Sequence, residues 1–293
     1  MKFSVIIPSY NQGRFIGRTI DSALSQEGAA LDISVFDGGS TDTTLDVLKS
    51  YGGRIFWVSE KDDGQADAVN KGIRATRGDI IAWLNSDDVY MPGALRAVSE
   101  VFQSHPEIDL VYGRGHHIDV EDAYIDDYPS EPWNFERMRD QCLFCQPATF
   151  FRRSVVERFG MLDTSLNYCM DYEFWLRVAK GGAGIYYLDK VLAGSRLYDS
   201  NKTLGARRKV HAEINDMQRR LFGEVPQRWL LNYAHVVSDE TIHRTERPTA
   251  YAWSLFTETL KAGRKWNRRI EWQPLALCLR WTRAAMMRQV RRS

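Results

Sequence analysis

Gly78-Asp79-Ile80-Ile81-Ala82-Trp83-Leu84-Asn85-Ser86-Asp87-Asp88 is the stretch on which the reading of this chain turns. Its apolar run suits a buried strand, and it ends abruptly in two adjacent carboxylates. Pro92-Gly93 follows shortly and opens a helix predicted over 93–103. Open α/β sheets place their ligands at such sites, where a strand ends and the chain turns into a helix. Adjacent acids repel unless a positive charge sits with them, and a hard divalent cation commonly supplies it. The same residues suit an Asx turn capping the helix. Alone, the stretch leaves both readings open.

Outward from it, strands and helices alternate. Phe3–Ile7 is an apolar run stopped by Pro8, and Phe15, Ile16, Ile20, Ala23 and Leu24 then recur at helical spacing. Strands are predicted at 33–36, 55–58, 79–84 and 109–113, with a helix from Ser40 or Asp42 as cap and another over 65–75. Such β-α-β units predict an α/β fold with a mostly parallel sheet flanked by helices. After about residue 114 the elements shorten: strands at 116–119, 123–128, 148–151 and 185–188, a helix capped by Ser154, and helices at 171–180 and 204–221.

Composition is that of an ordinary globular chain, but charge is divided unevenly. Residues 250–293 hold ten Lys/Arg against Glu258 and Glu271, a local +8; with +1 for the whole chain, residues 1–249 carry −7. Cys142 and Cys145 have zinc-knuckle spacing but no second pair, so buried free thiols are expected. The N-terminus enters a strand at once and no apolar stretch approaches a bilayer's thickness, so a reducing, cytoplasmic location is expected, at the cytoplasmic face of a membrane if the basic tail binds there.

Polar clusters sit where strands should end or helices begin: Ser9-Tyr10-Asn11, Asp37 to Asp42, Asn85 to Asp88, and Asp171-Tyr172-Glu173. Three terminate strands of one parallel sheet and should converge on one edge. Asp37 suits a ribose or base, because a carboxylate accepts from hydroxyl and imide donors; it equally suits a plain turn. No GxGxxG or GxxxxGK[ST] follows the first strand, which argues against an NAD-type or P-loop enzyme.

Six segments, in order, resemble glycosyltransferase family 2: 5–13, 37–42, 63–72, 78–88, 146–154 and 170–177. The resemblance covers about residues 3–205 and implies a GT-A fold over 1–222, with 223–293 as a basic, largely helical extension. It implies a nucleotide-diphosphate sugar donor, a divalent metal (Mn2+ or Mg2+), a glycan or lipid-linked acceptor, and inversion at the anomeric carbon. Carried over by position, Pro8, Ser9 and Tyr10 line the nucleotide and Asp37 holds its base or ribose. Asp63 lies near the nucleotide, and Asp67 and Asn70 towards the diphosphate or sugar. Asn85, Ser86 and Asp87 take the place of the metal-binding Asp-X-Asp, with Asp87 the direct ligand and Asp88 beside it. Gln146 lies near the acceptor side, and Asp171 matches the base. Two positions depart from the pattern: Asn85 brings no charge, and Tyr198 stands where the family often has a metal-reaching His.

Within 275–292, apolar residues share one side of a predicted helix and Arg280, Arg283, Arg288, Arg291 and Arg292 the other. Such a helix could lie in an anionic membrane interface or dock on the catalytic domain; no nucleic-acid motif accompanies it. Two alternative functions remain at this level. A sugar nucleotidyltransferase would need a Gly-rich, basic loop after the first strand, which Ser9–Arg14 lacks. A non-catalytic glycan- or nucleotide-binding module would account for Asn85 and Tyr198, but not for Asp87 and Asp171 together.

Overall fold

A computed structural model of the chain describes residues 1–198, 204–269 and Ala276. It divides into two compact units, Met1–Met138 with Cys142–Asp199, and Arg139–Gln141 with Ser200–Ser293. Apart from Ala276, the amphipathic helix predicted over 275–292 lies outside the described residues.

The first unit is built on a nine-stranded sheet: β1 (Lys2–Ser9), β2 (Ala30–Asp37), β3 (Phe56–Ser59), β4 (Ile80–Trp83), β5 (Val89–Tyr90), β6 (Leu110–Ile118), β7 (Tyr124–Asp127), β8 (Thr149–Arg152) and β9 (Ile185–Arg196). Their order is β3-β2-β1-β4-β8-β6-β9-β5, with β7 added at β6. β3, β2, β1 and β4 are mutually parallel; β8 runs against both β4 and β6, and β9 runs parallel to β6. Six of the nine strands therefore point one way, the α/β arrangement expected.

Phe3, Val5, Ile6 and Ile7 of β1 are all buried, because a central parallel strand is covered on both faces. Helices α1 (Ile16–Leu24), α2 (Thr44–Ser50), α3 (Gln65–Ala75) and α4 (Ala94–Ser104) connect the early strands. α3 lies so close to β1 that a Cβ on Gly72 would come within 2.3 Å of Ile6 Cγ2. Gly72 therefore serves close helix–sheet packing.

Local expectations differ from the structure in several places, and the strand expected at 185–188 runs on to Arg196. Val89–Tyr90 pairs with Gly194 and Ala193 before the chain reaches α4; two residues are too few to show periodicity. The strands expected at 109–113 and 116–119 are one, β6, whose pairing with β9 continues through register shifts at Gly113–Gly115. Ser154 lies inside α6 (Arg153–Phe159) and is not its cap; Arg152 holds that position. At α2 the N-cap position is Thr43, not Ser40 or Asp42; the Asp42 carboxylate accepts the Thr44 N–H (2.9 Å), and the Ser40 hydroxyl turns to Asp37. Between α4 and α6 lies a one-and-a-half-turn helix, α5 (Phe135–Asp140), and α7 (Met170–Lys180) completes this unit's helices.

The second unit contains α8 (Arg207–Phe222), α9 (Gln227–Asp239) and α10 (Pro248–Ala262), with Ala234, Tyr251 and Leu255 at its centre. Gly223, at φ +77°, terminates α8. No helix among the described residues is long and apolar enough to cross a membrane. On α8, His211 packs against the Trp229 ring (5.8 Å between centroids). Burial, reinforced by Arg207, lowers its pKa to about 4. The folded state thus favours neutral His211, whose contribution is intact above the unfolded value near 6.5 and is lost as pH falls towards 4. Urea unfolding of wild type and His211→Gln at pH 7 and pH 4.5 should show a smaller acid loss in the variant; an equal loss would assign the effect elsewhere.

Candidate active site

Strand register assembles the site's edge. Ser9 stands beside Asp37, Ile6 beside Trp83, and the Leu84 N–H donates to Ile6 O (3.0 Å). The segments after β1, β2 and β4 therefore leave the sheet together, as the strand-end rule predicts. Asn11, at φ +53°, ties two of them: its N–H donates to Ser40 Oγ (2.7 Å), and its Oδ1 accepts the Thr41 N–H (2.9 Å). Pro8 pairs with Phe36 within the sheet, the buried Ser9 hydroxyl has no hydrogen-bond partner among the described residues, and Tyr10 is 61% exposed.

Asp37 is buried and turns its carboxylate inward. Oδ2 accepts from the N–H groups of Gly39 (3.1 Å) and Ser40 (2.9 Å) and from Ser59 Oγ (2.6 Å), and Oδ1 accepts from Ser40 Oγ. The residue expected on a base or ribose therefore already holds four protein donors. Asp62 approaches from the loop after β3. A Cβ on Gly38 would lie 2.8 Å from its Oδ2, and its Oδ1 accepts the Gly64 N–H (2.9 Å).

Tertiary contacts divide the two acids of the Asp doublet. Asp88 is buried, with Oδ1 accepting the Arg196 N–H (2.9 Å) and Oδ2 accepting from Asn85 Nδ2 (3.2 Å). Burial, then the adjacent Asp87 charge, holds its pKa well above the usual carboxylate range. Asp87 instead accepts the Tyr198 hydroxyl on Oδ2 (2.8 Å), and burial raises its pKa too. Gln12 Nε2 donates to the same tyrosine oxygen (3.3 Å). Asn85 Oδ1 takes donors from Gln65 Nε2 (2.7 Å) and Trp83 Nε1 (2.9 Å), so its carbonyl is spent on protein contacts. Ser86 is buried between them in sequence.

The Arg196 guanidinium, with no exposed side-chain surface, fastens this loop. It donates from Nε to Asp87 O (2.7 Å), from Nη1 to Asp119 O (2.6 Å) and from Nη2 to Asp122, and lies 4.9 Å from the Phe15 ring centroid.

Other sequence candidates are placed differently. Asp63 is exposed, its N–H donating to Asp67 Oδ2 (3.3 Å), while Asp67 pairs with Lys71 (3.4 Å) along α3. Asn70 bonds both ways to the Leu162 backbone, donating to its O (2.9 Å) and accepting its N–H (3.1 Å), and so anchors the segment before α7. Gln146 donates to Trp83 O (2.8 Å), and its buried Oε1 has no hydrogen-bond partner among the described residues.

Asp171 occupies the first turn of α7, with Oδ1 accepting the Tyr172 N–H (2.8 Å). Burial first, then the Asp88 charge and more weakly that of Asp171, raises the pKa of the Cys145 thiol. Burial, then Asp171, pushes Cys142 up to about 12, and the Tyr128 hydroxyl donates to Cys142 O (3.3 Å). Cys142, Cys145 and Cys169 are free thiols. Glu173 is engaged by Arg177 through Nε–Oε1 (2.8 Å) and Nη2–Oε2 (3.0 Å). Arg177 also donates to the backbone carbonyls of Phe159 and Met161.

The donor set fits a divalent cation in one form. Asp87 offers a hard carboxylate oxygen in a setting whose burial calls for positive charge, whereas both Asp88 oxygens and the Asn85 carbonyl have protein partners. No cluster of three His, Cys, Asp or Glu among the described residues forms a protein cage. A magnesium-type shell completed by substrate phosphates and water matches this. Asp62, Gln65 and Arg196 escaped sequence reasoning. An Arg closing a strand reads as a solvated residue, and only its burial reveals the clamp.

A family model described as "Glycosyl transferase family 2" matches residues 4–160. An uncharacterised glycosyltransferase of Rickettsia typhi is 28% identical over 209 residues, 68% of this chain and 65% of its own length. The chondroitin synthase of Escherichia coli is 27% identical over 69% of this chain and 30% of its own length. The chain thus spans less than two thirds of the relatives it matches. Among solved structures, S. aureus TarS 1–349 in complex with UDP-GlcNAc gives a TM-score of 0.61 at 16% identity, covering 89% of this chain and 81% of that one. The mannosyltransferase PcManGT of Pyrobaculum calidifontis, with GDP-Man and Mn2+, gives 0.58 at 18%, covering 97% and 80%. At these identities the likeness is one of fold.

Proposed function

The chain belongs to glycosyl transferase family 2, and on that premise we propose that it transfers a sugar from a nucleoside-diphosphate donor to an acceptor hydroxyl with inversion. The observation that carries the reading is the division of labour at the β4 end. Asp88 is locked to β9, which leaves Asp87 as the doublet's carboxylate towards a ligand. Asp87 would hold a divalent cation, which when bound supplies charge stabilisation to the departing diphosphate. The acceptor oxygen bonds to the anomeric carbon as the bond to the phosphate oxygen breaks, and the electron pair leaves with the nucleoside diphosphate. Asp171 takes the acceptor's proton. The Gln65–Asn85–Trp83 bonds and the Arg196 clamp fix the loop before substrate arrives, so orientation is not paid at the moment of reaction. Asn70, through Leu162, steadies the approach to Asp171.

The acceptor side of the proposal, a glycan or lipid-linked hydroxyl met at the cytoplasmic face of a membrane, rests on the basic 270–292 segment of the sequence. Its product would be a cell-surface polysaccharide or glycolipid. A panel of nucleotide sugars with Mn2+, assayed for hydrolysis or transfer, tests the reading. Asp171→Asn should lower turnover of the accepted donor by about 10²–10⁴ with donor affinity retained. Wild-type turnover in that variant would remove Asp171 from the chemistry.

A further inference from the structure

We infer that the outer edge of β3 is an interface for a second copy of this chain, the two β3 strands pairing antiparallel about a two-fold axis at Trp57. β3 ends the sheet, with β2 its one strand neighbour among the described residues. The Glu60 N–H donates to Asp37 O (3.0 Å), so the even-numbered residues here turn their backbone groups towards β2. Ile55, Trp57 and Ser59 turn theirs outward. Ile55 already has extended backbone, at φ −134° and ψ 153°. The usual protections of an edge are missing: residues 55–59 include no charge and no proline, and β3 follows β2 in unbroken register. Phe56 is 56% exposed. Nothing overhangs the strand's foot, where a Cβ on Gly52 or Gly53 would meet open space, and α3 packs chiefly on β1 and β2, inward of the edge.

What selects a second copy as the partner is that the sequence about Trp57 is complementary to itself. Antiparallel pairing on that axis sets Trp57 against its own counterpart and Ile55 against Ser59, so every outward backbone group of these residues gains a partner. Phe56 then stands against Val58, an aromatic pair with a β-branched residue. Arg54, at the foot of one strand, comes to Glu60 at the head of the other. Arg54 has no ion pair among the described residues and rests over the Tyr51 ring, 4.8 Å from its centroid. Glu60 meets Lys71 (3.1 Å) but keeps 59% of its side chain exposed, which leaves its carboxylate open to a second cation. An axis at Phe56 or Val58 would leave one outward residue unpaired and part Arg54 from Glu60. Only the axis at Trp57 satisfies both the backbone and the charges.

The paired edge is short, so the dimer should be reversible, with a dissociation constant on the order of 10–100 μM. Sedimentation velocity of the full chain, from about 1 to 200 μM, measures it and does not depend on the donor-binding reading. Arg54→Glu and Glu60→Arg each set like charges together at both ends of the interface, and each should weaken the dimer at least about tenfold. Mixed in equal amounts, the two variants bring opposite charges together at both ends again. The heterodimer should therefore return to within about threefold of wild-type affinity, and that recovery also shows that both variants fold. A wild type that stays monomeric over this range overturns the inference. So does a dimer that neither substitution weakens, or a pair of weakened variants whose mixture stays monomeric.

Discussion

Asp87→Ala is expected to cut sugar transfer by about 10³-fold or more, some 4 kcal/mol of transition-state stabilisation, and to abolish the Mn2+-dependent part of donor affinity. The size follows from the absence of a substitute within the loop. Asp88 has both oxygens engaged, by the Arg196 N–H and the Asn85 amide, and Asn85 has its carbonyl taken by Gln65 and Trp83. The apo protein should keep its melting temperature or gain slightly, because Asp87 is a carboxylate whose burial already disfavours its charge. Titrating UDP with and without Mn2+ into wild type and variant separates the two effects. Undiminished Mn2+-dependent binding in Asp87→Ala would move the cation to other residues.

The second large effect is on stability. Arg196→Met keeps much of the aliphatic stem but removes every guanidinium donor, and a loss of about 3–5 kcal/mol is expected, as when one partner of a buried ionic network is deleted. Two backbone carbonyls, those of Asp87 and Asp119, would lose their bonds to Arg196, and Asp122 the buried one of its two ion pairs. Arg18 provides the contrast. It meets Glu121 and Asp122 with 40% of its side chain exposed, so Arg18→Met should cost no more than about 1 kcal/mol. Urea unfolding of both variants measures the difference; equal costs would mean that the buried guanidinium contributes no more than a surface pair. Transfer activity should fall in Arg196→Met even below its unfolding midpoint, because the Asp87 carbonyl is held by this side chain.

Much of the fold was legible because periodicity and punctuation are local. The apolar runs of β1, β2 and β4, the helical spacing in α1 and α3, and the breakers between them fix an α/β order without long-range information. Elements whose existence depends on a distant partner were not legible. β5 is two residues long and exists through β9, and β6 stays continuous through two glycines because β9 runs beside it. The α6 cap shows the same limit: Ser154 has the right chemistry two residues too late.

The sequence by itself determined which carboxylates reach the sheet's edge, since a strand's end is set by the chain's own pattern. It named Asp37, Asp87 and Asp88 there without ranking their duties. Only the tertiary structure could rank them, because a carboxylate's role depends on which donors fill its lone pairs, and those donors come from far along the chain. Arg196 lies 108 residues beyond Asp88 and commits it to the scaffold. Ser59 helps commit Asp37 to its own turn, and Gly38 makes room for Asp62. Asp87 accepts the Tyr198 hydroxyl instead, and it is the carboxylate to which the proposed function gives the cation.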